Sequence, residues 1–249
     1  MSRVLIYLIL ILVASCLHAN VAEPELLEIK IDTRDQSKLQ RGAALFMNYC
    51  SGCHSLRYMR YNRMAEDLGL TTFDGSVDSD LLINNLIFTK AKIHDPIQIS
   101  MPEVDARQWF GKLPPDLSLS ARERGAEWLY TYLRSFYIDK SRPFGTNNLL
   151  IPDVAMPNIL APLEGDVVAI PIGGDLKRLS NSNLVTIAIG EMNEQQFDSA
   201  VQDLVTFLVY VAEPGKPAHH RLGLIVLIFL GLLIIFAYRL KKVYWRNIH

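Results

Sequence analysis

Five consecutive residues, Cys50-Ser51-Gly52-Cys53-His54, limit what this chain can be more than any other part of it. Two thiols three positions apart can form thioethers with the two vinyl groups of a haem, and the next histidine then places its imidazole under the iron. A glycine between the thiols is expected to help the chain turn tightly. The sequence therefore predicts one covalently attached haem c, held by both cysteines, with His54 as an axial ligand.

Two other interpretations of the cysteine pair fit less well. A thioredoxin-like C-x-x-C pair follows a strand and opens a helix, whereas apolar residues recur at helical spacing before Cys50. A zinc site needs further Cys or His ligands at suitable spacing. The histidines elsewhere in the chain do not form such a set: His94, His219, His220 and His249.

The N-terminus has the pattern of a secretory signal. Arg3 precedes the short apolar run Val4–Val13, and small residues follow up to Ala19. The run is shorter than the roughly 20 apolar residues that a membrane span needs. We therefore predict a signal peptide over residues 1–19. An uncleaved anchor and a lipoprotein processing site at Cys16 are the alternatives.

A second apolar run, Leu222–Tyr238, contains no charged residue and is followed by a basic tail without acids. A buried helix of a globular protein would rarely lack a polar face. Positive charge stays on the cytoplasmic side of a membrane. The pattern predicts a transmembrane helix over residues 221–239, a cytoplasmic tail over 240–249, and a periplasmic domain over 20–220 at a bacterial inner membrane.

The net charge of −1 conceals a marked separation of charge along the chain. Residues 20–220 contain 19 Lys and Arg but all 26 Asp and Glu. An acidic exported domain is a poor partner for nucleic acid and suits a basic protein partner.

Around the cysteine motif the sequence is mainly helical. Ser37 is a candidate cap for a helix that runs to Tyr49, with Gly42 at a position where a second helix could approach closely. One apolar stripe over Phe197–Val211 predicts that second helix, and a third helix is expected from about Asp116 or Ser118 to Tyr137. Pro and Gly are frequent between them. The fold class is thus mainly α, a c-type cytochrome domain with long loop insertions plus one C-terminal transmembrane helix.

The second axial ligand is harder to choose. The haem iron of an electron carrier usually has six ligands, and a methionine sulfur as one of them favours the ferrous state. Met101 and Met156 both precede a proline, which holds the methionine in extended chain. Spacing alone leaves both open, and local sequence slightly favours Met156; a bis-histidine site would use His94. Four methionines fit core packing better: Met47, Met59, Met64 and Met192.

Four ordered segments of the chain resemble the cytochrome c1 family, the haem subunit of the quinol–cytochrome c oxidoreductase (cytochrome bc1 complex). They are Arg41–Arg63 around the haem motif, Leu113–Gly125 (LPPDLSLSARERG), Asp153–Leu160 (DVAMPNIL) and Phe207–Gly223 before the apolar run. The resemblance covers nearly the whole exported chain and the anchor. A single C-x-x-C-H motif is common to many cytochromes, but this ordered set is specific.

The resemblance implies further site residues. Met156 would be the sixth ligand, although this chain has Ala155 before it and a single proline after it. Pro114 and Pro115 would line the haem pocket. Arg124, and less surely Arg122, would face a haem propionate, because arginine can bind a carboxylate with two hydrogen bonds. A solvated helix face is the alternative role for both arginines.

The resemblance also implies a function. The chain would take electrons from a Rieske iron–sulfur protein, pass them to a cytochrome c, and sit beside a cytochrome b subunit in a dimeric complex. It would carry electrons without being catalytic by itself. A tethered c-type cytochrome that feeds another terminal oxidase is the alternative. A haem enzyme or gas sensor with an open iron position is a further one.

Overall fold

The structure is a computed structural model that describes residues 26–170 and 183–246. The predicted signal peptide, residues 1–19, and the three C-terminal residues lie outside the described part of the chain. The described residues are mainly helical, as expected, with short strands and long connecting loops.

We number the elements in chain order. The helices are α1 Gln36–Leu45, α2 Tyr61–Asp67, α3 Ser79–Leu86, α4 Glu103–Phe110, α5 Ser120–Arg124, α6 Ala126–Leu133, α7 Ala161–Glu164, α8 Glu194–Ala212 and α9 Lys216–Trp245, with a π-helical segment Phe46–Cys50 directly after α1. The strands are β1 Leu56–Arg60, β2 Pro96–Ile97, β3 Phe136–Ile138, β4 Thr146–Asn148, β5 Gly165–Ala169 and β6 Leu184–Ile189.

Helices α1 and α8 cross closely at Gly42. A Cβ atom at this glycine would lie 2.2 Å from the backbone oxygen of Asp203 and 2.7 Å from the Cβ of Phe207, so only glycine fits. The ring centroids of Phe46 and Phe207 are 5.8 Å apart beside the crossing. The predicted close approach of a second helix is therefore confirmed.

The cap of α1 differs from the sequence prediction. Asp35, and not Ser37, accepts the backbone hydrogen bond of Lys38 at the start of the helix. The carboxylate of Asp35 satisfies one of the first free N–H groups, so the helix begins at Gln36. The π-helical segment then carries the helical path on to Cys50.

Helix α8 forms the centre of the core. Asn193 and Gln196 close a reciprocal capping box at its start, and the helix ends at Ala212, two residues before Pro214. The stripe predicted from the sequence is buried along its whole length: Phe197, Val201, Leu204, Val205, Leu208 and Val211.

The helix predicted over residues 118–137 is wrong as a single element. It is divided into α5 and α6 at Gly125, whose φ of 92° and ψ of 160° leave the helical region. The chain then enters strand β3 at Phe136. Strand β3 pairs antiparallel with β4, which sets Tyr137 opposite Asn147. This hairpin starts the loop that holds Met156.

Helix α9 leaves the rest of the fold. Over Leu222–Trp245, 24 residues, it is long and apolar enough to cross a membrane, and its apolar side chains are exposed. At a rise of 1.5 Å per residue this stretch measures about 36 Å, against a bilayer core of about 30 Å. The helix begins at Lys216, five residues before the expected start of the span.

Candidate haem site

One tight turn presents the three residues of the predicted attachment motif. The backbone N–H of Ser51 donates to Phe46 O at 2.9 Å, and the N–H of His54 donates to Cys50 O at 2.8 Å. These bonds place Cys50, Cys53 and His54 on one side of a cleft. Gly52 has no positive φ and its Cβ would meet no atom within 4 Å, so the turn does not need a glycine there.

The two thiols are free and protected from ionisation. Burial raises the pKa of Cys50 to about 12, and burial also raises the pKa of Cys53. A reactive redox pair requires a thiol whose pKa is lowered by nearby positive charge or a helix N-terminus. The surroundings of this pair argue against the thioredoxin-like interpretation and suit thiols that become thioethers.

His54 is held in the form that can bind iron. Its Nδ1 lies 2.8 Å from the backbone oxygen of Pro115, and because a carbonyl only accepts, Nδ1 is the donor. The lone pair of Nε2 is then free for a metal. Burial lowers the pKa of the imidazole, which keeps it neutral. A hydrogen bond that fixes the ring of a ligating histidine is the usual support of such a ligand.

Two side-chain acceptors fix the Pro114–Pro115 segment to strand β1. The Oδ2 of Asp116 accepts from the N–H of Arg57 at 2.9 Å. The hydroxyl of Ser118 accepts from the backbone N–H of Tyr58 at 3.1 Å. The two prolines therefore form one wall of the cleft, as the resemblance implies.

The opposite wall is a loop held by two buried asparagines. The Oδ1 of Asn148 accepts from the N–H groups of Leu150 and Ile151 at 2.9 and 3.1 Å. The Oδ1 of Asn147 accepts from the N–H of Asp153 at 2.9 Å. Asp153 takes a positive φ of 63°, and this turn directs the chain toward Met156.

Met156 lines the same cleft as the attachment motif. The wall of the cleft is predominantly apolar, as is usual for ligand sites. Its lining consists of Tyr49, Cys50, Cys53, His54, Phe110, Lys112, Leu113, Pro114, Pro115, Ala155, Met156, Pro157 and Ile159. Two free thiols, a neutral imidazole and a thioether around one apolar cleft fit a covalently bound haem. Met101 does not line this cleft.

The two predicted arginines lie elsewhere. Neither is among the residues that line the cleft. The Nη1 of Arg122 lies 3.7 Å from a carboxylate oxygen of Glu213, and the guanidinium of Arg124 lies 5.1 Å from the ring centroid of Trp128. An exposed lysine, Lys112, is the cation at the cleft itself among the described residues. Sequence reasoning missed Lys112, which carries no motif.

A c-type haem turn, a methionine in the same apolar cleft and an exposed apolar C-terminal helix define a membrane-anchored c-type cytochrome. The chain belongs to the cytochrome C1 family, whose family model matches residues 27–248. It is 43% identical over 251 residues to cytochrome c1 of Allochromatium vinosum, with 100% of each chain covered.

Two further similarities differ in name and strength. The chain is 43% identical over 232 residues to a protein of Nitrosomonas europaea described as ammonia monooxygenase gamma subunit, with 93% of this chain and 92% of that protein covered. A chain of a solved hyperthermophilic respiratory Complex III has a TM-score of 0.46 at 15% identity, with 100% and 95% covered. The family assignment does not depend on this distant likeness.

The family establishes the main predictions from sequence. The chain carries one covalently attached haem c and transfers electrons as the haem subunit of the quinol–cytochrome c oxidoreductase, with cytochrome b and a Rieske protein as partners. It is anchored in the membrane, and α9 is the candidate anchor.

Proposed function

We propose that this chain takes single electrons from the Rieske iron–sulfur protein and gives them to a cytochrome c, through a haem held by Cys50, Cys53, His54 and Met156. The observation that carries the proposal is the cleft itself. Its lining comes from segments about one hundred residues apart, and both candidate iron ligands, His54 and Met156, are part of it.

The residues of the cleft have separate tasks. Cys50 and Cys53 would attach the group through thioethers, and His54, fixed by Pro115, would ligate its iron together with Met156. When bound, haem supplies a one-electron ferric–ferrous couple. The apolar wall keeps water from the iron and so limits the rearrangement that accompanies each electron.

Cations near the cleft would hold the haem propionates. Lys112 lies at the cleft and is our first candidate. Arg124, and after it Arg122, follow from the family resemblance, and in the structure they contact Trp128 and Glu213. Removal of a cation that pairs with a propionate is expected to lower the midpoint potential, because the ferric state gains relative stability.

We further propose the topology predicted from charge. The signal peptide 1–19 exports the domain over 20–220 to the periplasm, the span 221–239 crosses the inner membrane once, and the tail 240–249 stays in the cytoplasm. The acid-free basic tail supports this orientation, as does the excess of acidic residues in the domain. Alkaline phosphatase fused after His249 should be inactive, whereas active phosphatase would contradict the topology.

Partners test the function most directly. Purification of the tagged chain from detergent-solubilised membranes should recover cytochrome b and the Rieske protein in a dimeric complex that reduces a cytochrome c. Recovery with a terminal oxidase alone would favour the tethered shuttle. Recovery with the other subunits of an ammonia monooxygenase would instead favour the role that the description of the Nitrosomonas europaea relative gives.

A pair of variants tests the ligand assignment. Met156→Leu should abolish the sulfur-to-iron charge-transfer band, lower the midpoint potential and let the ferrous form bind carbon monoxide. Met101→Leu is the matched control, because Met101 also precedes a proline but lies outside the cleft, and it should leave all three unchanged. The reverse result would overturn the assignment.

A further inference from the structure

The hydroxyl of Tyr132 donates a hydrogen bond to the sulfur of Met156, with an O–S distance of 3.3 Å. Tyr132 lies near the end of α6 and reaches the methionine from behind the cleft wall. Nothing in the sequence marks this residue, because the contact joins positions 24 residues apart across a hairpin.

The tyrosine ring is fixed on two sides. Trp128, one helical turn earlier, stacks on it with ring centroids 5.3 Å apart and only 7° between the planes. Phe136, the first residue of β3, meets its edge with centroids 5.2 Å apart at 72°. The hydroxyl therefore has little freedom to leave the sulfur.

The backbone of Tyr132 is tied to the ligand loop as well. The Nδ2 of Asn148 donates to the backbone oxygen of Tyr132 at 2.8 Å, and the same asparagine holds the start of the loop through Leu150 and Ile151. One buried amide thus sets the distance between the helix that carries the phenol and the loop that carries the thioether.

We propose that Tyr132 is a positioning residue that orients the Met156 sulfur and raises the midpoint potential of the bound haem. The inference rests on the proposed role of Met156 as the sixth ligand. A thioether sulfur has two lone pairs, so it can accept from the phenol with one and face the iron with the other. The positive end of the O–H dipole disfavours additional positive charge on the iron, and hydrogen bonds to a ligand tune its metal.

Tyr132→Phe separates this role from packing, because phenylalanine keeps the ring and removes the donor. At the wild-type midpoint, the ratio of oxidised to reduced haem in the variant should rise about three- to tenfold, which is about 30 to 59 mV at 59 mV per tenfold for one electron. The charge-transfer band of the methionine should shift and should disappear at a lower temperature than in the wild type.

Tyr210→Phe is the matched control. Tyr210 is also buried, and its hydroxyl donates to Asp67 at 2.7 Å, away from the cleft. Loss of this hydroxyl should lower the thermal stability of the protein and leave the potential and the band unchanged. Both variants are measured in the full-length haem-loaded complex in detergent.

A second substitution should change the midpoint potential in the opposite direction. Site-specific 3-fluorotyrosine at position 132 makes the phenol a stronger donor and should raise the potential. A variant series in which phenylalanine and fluorotyrosine both leave the potential and the band at the wild-type values would overturn the role of Tyr132. If the wild-type protein lacks the methionine band, the ligand assignment fails first. If Met156→Leu removes the band while Tyr132 variants change nothing, only this inference fails.

Discussion

The two walls of the cleft are built in different ways. On the His54 wall, one turn of backbone hydrogen bonds follows directly from α1, and α1 packs on α8 with no space for a side chain at Gly42. On the Met156 wall, no helix or strand holds the methionine. Side-chain amides of Asn147 and Asn148 replace the regular backbone bonds.

The difference predicts an order of opening. Regular structure packed on the core opens only with the whole domain, whereas a loop held by a few side-chain bonds opens at lower free energy. We therefore expect the Met156 wall to open first under heat or denaturant. The histidine wall should keep the haem, because two thioethers and the α1–α8 crossing both hold that side.

The largest effect is expected for Asn148→Ala. The change leaves the N–H groups of Leu150 and Ile151 and the oxygen of Tyr132 without their partner. At about 1–3 kcal/mol for each buried group left unpaired, we expect a loss of about 3–4 kcal/mol in the stability of the loop. The methionine band should vanish at a lower temperature while far-UV circular dichroism persists.

The control for that variant is Asn85→Ala. The Nδ2 of Asn85 also donates to a backbone oxygen, that of Leu81 at 2.8 Å, but on an exposed helix. Simultaneous loss of the band and of the circular dichroism signal in Asn148→Ala would show that the two walls open together.

Gly42→Ala tests the other wall. The new Cβ would overlap the backbone oxygen of Asp203 and force α1 and α8 apart. Overpacking of this kind costs about 1–3 kcal/mol, so we expect about 2–3 kcal/mol lower global stability in chemical denaturation. The methionine band and the circular dichroism should now be lost together. Loss of the band alone would contradict the comparison.

Glu164→Gln sharpens the comparison through pH. Glu164 follows the ligand loop, accepts a hydrogen bond from Asn158 and has Arg134 nearby, which itself pairs with Asp198. Burial raises the pKa of its carboxyl from 4.5 to about 7. The neutral acid thus contributes stability that is fully present below pH 4.5 and is lost as the pH rises through about 7.

The glutamine variant should keep that stability at high pH. Thermal unfolding should show little difference from the wild type at pH 5 and a gain of about 1–2 kcal/mol at pH 8, allowing for partial exposure of the carboxyl. Glu123→Gln, an exposed acid, should behave as the wild type at both pH values. An equal gain at pH 5 and pH 8 would exclude titration of Glu164 as the cause.

The smallest effect is expected for Gly52→Ala. No atom lies within 4 Å of the added Cβ and the backbone needs no positive φ, so the change in unfolding free energy should stay within about 0.5 kcal/mol. Denaturation of the haem-loaded protein measures it. A loss as large as that of Gly42→Ala would mean that the turn depends on glycine after all.

The histidine wall was predictable because its chemistry is local. Cys50, Cys53 and His54 form one contiguous motif, and the apolar stripe of α8 repeats at helical spacing. The close approach of a second helix at Gly42 was also predictable. The break at Gly125 was not, because a single glycine within a helical pattern is compatible with a continuous helix.

The methionine wall was only partly predictable. Met101 and Met156 are each followed by a proline, but only Met156 lies in the loop that Asn148 holds and lines the cleft. The local sequence favoured Met156 only slightly, and the family resemblance gave the stronger indication. The contact of Tyr132 with the sulfur and the position of Lys112 depend on tertiary packing, which no local pattern of residues reports.

The central claim, attachment through Cys50 and Cys53, can be tested on one peptide. Trypsin should release residues 42–57, which contain both cysteines and His54. Mass spectrometry of protein made in a host that matures c-type cytochromes should show this peptide heavier by one haem, with neither thiol open to alkylation. The same peptide with two alkylated thiols, and a haem that acidic acetone extracts, would contradict the account.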